Sequence, residues 1–80
     1  MTNHSHIAYG IPGMDGEAGA LLEKRLERLP GVHDVTVWPS EQQIDVDYDP
    51  DLVEPATLAG AIQQLGYLAK FVPRPEHWPG

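Results

Sequence analysis

The side chains able to do chemistry in this 80-residue chain are four histidines and twelve carboxylates, with no cysteine among them. His4 and His6 are two apart, so an extended backbone puts both on one face. A His-x-His pair with a carboxylate and a third imidazole suits a divalent transition metal such as Zn, Ni or Cu(II). His4, His6 and His77 are the ligands this pattern nominates. Asp15 and Glu17 form a second set, able to hold a hard or borderline cation through oxygen. Carboxylates at a helix start also serve the helix dipole alone. Cu(I) held by thiolates has no donors here. Asp45, Asp47, Asp49 and Asp51 spell the opening of a calcium loop, but Pro50 stands at the sixth-position glycine and Ala56 at the twelfth-position glutamate. They read more simply as the solvent face of a strand. His33 has no serine or cysteine companion and there is no phosphate loop, so no enzyme activity is expected.

The elements that must position these groups follow from periodicity. Ile7, Tyr9 and Ile11 alternate as a strand that stops at Pro12-Gly13. From Asp15 or Gly16 to Leu29, the residues Ala18, Leu21, Leu22, Leu26 and Leu29 recur at helical spacing, and Pro30-Gly31 ends the run. Val35 and Val37 predict a second strand, from which Trp38 points outward. Pro39 to Gln42 turns the chain, and Ile44, Val46 and Tyr48 form the third strand of a hairpin. Pro55 opens a second helix carrying Leu58, Ala61, Ile62 and Leu65, which Gly66 ends. Tyr67 to Val72 is the fourth strand. Met14, Tyr9, Tyr48 and Phe71 read as packing residues. Residues 73–80 are a proline-rich tail, expected to be poorly ordered. The order βαββαβ with right-handed crossovers gives an α+β fold, a ferredoxin-like sandwich of one four-stranded antiparallel sheet and two helices on one face. Residues 1–72 make that single domain. Its loop pole gathers Asp15, Glu17, Glu41 and Tyr67, and the histidines fall at the opposite pole with Asp49 and Asp51. His33 is expected farther across the sheet.

The net charge of −7 argues against nucleic acid and an anionic membrane as partners. It suits divalent cations, a basic partner or simple solubility. No leader or membrane-inserting segment is legible, so a complete cytoplasmic product is expected. Lys24, Arg25 and Arg28 form the one basic cluster. They either orient an acidic partner or pair with Glu23 and Glu27 along a solvated helix face.

Four motifs in register carry a resemblance. Gly13-Met14 follows the first strand, and Leu29-Pro30-Gly31-Val32 follows the first helix. Val46-Asp47-Tyr48-Asp49-Pro50 ends the third strand, and Leu65-Gly66-Tyr67 ends the second helix. Together, over residues 7 to 70, they resemble the heavy-metal-associated domain of copper chaperones and metal-transporting P-type ATPases. The resemblance implies metal trafficking, and a metal transporter or another such domain as partner. It also implies a metal loop at Gly13, Met14, Gly16, Gly19 and Tyr67, where the family writes Gly-Met-x-Cys-x-x-Cys. The two cysteine positions are Gly16 and Gly19, so the thiolate site is lost. Glycine early in a helix costs roughly 0.5–1 kcal/mol against alanine. Simple ligand loss gives no reason to prefer it. What remains is either metal held by histidine and carboxylate, or a metal-independent interaction or regulatory module on the same fold.

Overall fold

The computed structural model describes residues 4–73, so the expectations for His77 and the proline-rich tail lie outside the described residues. Its elements are β1 (Ser5–Gly10), α1 (Gly16–Glu27), β2 (Val32–Trp38), a 3-10 turn (Pro39–Glu41), β3 (Gln43–Tyr48), α2 (Pro55–Gln64) and β4 (Lys70–Val72). The strands form one antiparallel sheet in the order β2-β3-β1-β4, the ferredoxin-like arrangement.

Register sorts the side chains into two faces. Ile7 lies opposite Val46 and Tyr9 opposite Ile44, while Val35 and Val37 meet the same two partners from β2. This row buries itself against Ala18, Leu22 and Leu26 of α1 and Leu58, Ala61 and Ile62 of α2. Met14 joins that core at 2% exposure, as a packing residue. The Tyr9 hydroxyl reaches through the core and donates to the Pro55 carbonyl at 2.8 Å, tying β1 to the start of α2.

The opposite face departs from a simple solvated surface. Asp45 is only 9% exposed. The Trp38 indole Nε1 donates to its Oδ2 at 3.1 Å, and the Gln43 amide donates to Oδ1 at 2.8 Å. Both carboxylate oxygens thus have donors, as a buried charge requires. Trp38 does alternate outward, but it is half-buried over Asp45 rather than projecting as a free anchor.

Two boundaries and one side chain depart from the expected pattern. α1 stops at Glu27, with Arg28 as its C-cap, because Leu29 bonds back to the Leu26 carbonyl in a tightened last turn. The fourth strand begins at Lys70, not Tyr67, because β1 itself ends at Gly10. Earlier pairing would run onto Ile11 and Pro12, and proline has no N–H to give. Phe71 is 63% exposed, against the packing role expected of it: it sits opposite Tyr9 on an edge strand whose main neighbour is β1. A fourth departure sits at the entrance to β2. Val32 pairs with Tyr48 and Asp34 with Asp47, so His33 is an extra residue, a β-bulge.

Burial, and then the neighbouring Tyr48, push the Tyr9 phenol up to about 12 from its ordinary 10.0. Above pH about 10 the unfolded chain sheds a proton that the folded chain keeps, so stability is whole below that pH and is lost as the pH climbs through about 12. Thermal melts across that window are expected to fall more steeply for the native chain than for Tyr9→Phe. At neutral pH the same variant loses about 1 kcal/mol with its hydrogen bond.

Candidate functional site

The loop pole is built where β1 hands over to α1. Ile11 donates its N–H to the Gln42 carbonyl at 2.7 Å, which anchors the loop to the hairpin turn, and Met14 N–H turns back to Ile11 at 3.2 Å. Asp15 is the N-cap of α1: its Oδ1 accepts from the Ala18 N–H at 2.7 Å. That carboxylate therefore serves the helix start. Glu17 is exposed in the first turn. With Asp15, Ala18, Leu21, Lys24 and Tyr67 it lines an open groove of about 460 Å³. Tyr67 thus stands where the sequence placed it, beside the loop acids.

The two glycines at the cysteine positions are not equivalent. At Gly16 a β-carbon would meet nothing within 4 Å. At Gly19 it would lie 2.5 Å from Val37 Cγ1 and 3.6 Å from Met14 Sδ. Gly19 is buried, and α1 sits so close to β2 there that the valine fills the space a side chain would need. The glycine that ligand loss does not account for is explained at this position by packing. Neither glycine has a side-chain donor, and the adjacent Asp15 carboxylate is engaged in capping.

The opposite pole gathers more than the sequence suggested. His4 Nδ1 lies 3.2 Å from Asp47 Oδ1, and His6 Nε2 lies 3.8 Å from Asp47 Oδ2. The carboxylate they share is Asp47, in the body of β3, not Asp49 or Asp51 beyond its end. Asp49 instead accepts from the Asp51 N–H at 2.9 Å in a turn. His33 is not remote: its ring centroid is 4.4 Å from that of His4. The alternation of Val35 and Val37 would turn residue 33 toward the core, and the bulge overrides it. Among the described residues, no three histidine, cysteine, aspartate or glutamate side chains are placed so that they could hold a metal ion. The six residues of β1 separate the poles by roughly 20 Å, so the histidines and Asp15 do not share a site.

The basic cluster is split. Arg25 Nη2 donates to Gln64 Oε1 at 3.0 Å and bridges α1 to α2. Lys24 borders the groove, and Arg28 caps the helix end.

The heavy-metal-associated domain profile matches residues 9–67. A copper-exporting P-type ATPase of Bacillus subtilis is 37% identical over 68 residues, 84% of this chain, and the chain spans 8% of that protein's length. The N-terminal domain of a potential copper-translocating P-type ATPase from B. subtilis, in its Cu(I)-loaded state, superimposes with a TM-score of 0.84 at 26% identity. That match covers 98% of this chain and 99% of the other. A CopZ metallochaperone gives a TM-score of 0.78 at 27% identity, covering 81% and 98% of the two chains.

Gly19→Ala is expected to destabilise the fold by about 1–3 kcal/mol, because Val37 must move for the added methyl. Gly16→Ala should be neutral or stabilising by about 0.5 kcal/mol. Urea unfolding of the two variants side by side measures the contrast. Equal effects would remove the packing explanation.

Proposed function

Since the chain belongs to the heavy-metal-associated domain family, we propose that it serves metal trafficking without thiolates. In this reading it is a cytoplasmic binding module and not an enzyme. It holds a divalent transition metal, Zn, Ni or Cu, on histidine and carboxylate. Its partner is a metal transporter or another domain of its own kind, in keeping with the ATPase segment it resembles. One observation carries the proposal: the donors have separated from the loop. Gly16 and Gly19 offer nothing at one pole, while imidazoles surround Asp47 at the other. His77 is a further donor in this reading, and Glu17 with Tyr67 forms a lesser oxygen site beside the groove. Lys24 and Arg28 are exposed on α1 for docking, whereas Arg25 is held by Gln64.

A second reading has its own support. Leu21 is 53% exposed on the groove, and Leu68, one residue beyond Tyr67, is 64% exposed. Apolar surface beside a loop without ligands suits a metal-independent interaction module.

Amide NMR titration with Zn(II), Ni(II), Cu(II) and Cu(I) separates the two. Shifts at His4 and His6, with Asp15 to Gly19 quiet, are the expected result. Shifts centred on Asp15 to Gly19 and Tyr67 would move the metal back to the loop. Silence for all four ions would overturn metal handling and leave the interaction module.

A further inference from the structure

Three strands contribute to the far pole, and each brings one kind of group to the same face. His6 pairs directly with Asp47 across β1 and β3, and Asp34 pairs directly with Asp47 across β2 and β3. Two carboxylates standing opposite each other on neighbouring strands repel. The arrangement calls for positive charge. Nearby stand three imidazoles: His4 and His6 on the carboxylate oxygens, and His33 against the ring of His4. Bulges re-aim side chains and occur beside functional sites. This one places on the open face a histidine that regular alternation would turn inward.

We propose that His4, His6, His33 and Asp47 bind one Zn(II), Ni(II) or Cu(II) ion that ties β1, β2 and β3 together at the pole opposite the loop. The proposal rests on the non-thiolate reading above and assigns its ligands. Neutral imidazole and carboxylate are the donors these borderline ions accept. Ligand bonds of about 2.0–2.2 Å around a tetrahedral ion put neighbouring donors roughly 3.3 Å apart. The His4 nitrogen and its Asp47 oxygen, now hydrogen-bonded to each other, stand at a similar 3.2 Å, and the His6 pair stands at 3.8 Å. As placed the four do not form a metal-holding group, so binding requires His6 and His33 to rotate toward Asp47. The His6 side chain is 57% exposed and His33 is exposed, so both turn without disturbing the core. The ion also offsets the repulsion between Asp34 and Asp47, a gain that the folded sheet alone provides.

The test uses the full chain with ZnCl2, NiCl2 and CuCl2, by calorimetry and by imidazole NMR. One equivalent should bind, and the ring signals of His4, His6 and His33 should move together. At a free ion concentration 100 times Kd, the melting temperature should rise by on the order of 10 °C. Outer-shell partners of metal ligands are worth 10–100-fold in affinity, so His33→Ala and Asp47→Asn should each weaken binding by at least about tenfold. His33 and Asp47 lie at the surface, and a dispersed NMR spectrum confirms that each variant is folded. Undiminished binding in both variants overturns the ligand set. So does binding abolished by His77→Ala but unaffected by His33→Ala. Either result leaves the non-thiolate reading intact. No binding of any of the three ions to the native chain overturns both.

Discussion

The seating of α1 on the sheet is the contact from which the rest of this molecule takes its shape. Gly19 lets the helix approach Val37 so closely that no side chain fits between them. That approach brings Leu22 and Leu26 down into the core, and it leaves Met14 buried beneath the loop. It also makes Gly19 a packing position, with no room for a side chain. Gly16, three residues earlier, is under no such constraint, since a β-carbon there would meet nothing within 4 Å.

The central place of β1 links the two poles. Paired with β3 on one side and β4 on the other, it runs from the histidine cluster, with His4 just before it and His6 near its start, to the loop that follows Gly10. Its inward residues hold both helices, and its outward residue His6 meets a carboxylate. The Tyr9 bond to Pro55 adds a link to α2 within that strand. A perturbation at either end of β1 is therefore coupled to the same buried row of Ile7 and Tyr9.

Much of this was legible in the residues. The alternation of Ile7 with Tyr9 and of Ile44 with Val46, the helical spacing of Leu22 and Leu26, and the breaks at Pro30-Gly31 and Gly66 specify the element order and the core. Glycine rather than cysteine at positions 16 and 19 was equally plain. What escaped depends on distances between elements. No local pattern says that Val37 crowds Gly19, since helix and strand are far apart in sequence. Asp45 reads as solvated until Trp38 folds over it. His33 reads as remote because β2 lies beyond β3 from β1, and the bulge that turns it onto the face reached by His4 leaves no mark in the local pattern. The candidate site was thus half legible: His4 and His6 were marked by their spacing, while their carboxylate and the third imidazole emerge only from strand pairing.

The bulge at His33 also sets Val32, at the entrance of β2, apart in facing from the rest of the strand. In a regular strand, facing is a matter of parity, and every residue's side is fixed by counting from any other. One surplus residue resets the count. Val32 and Val35 both pack on the same core, one on each side of the surplus residue. Two successive residues, His33 and Asp34, thus stand exposed between two inward valines, which no unbroken strand would allow.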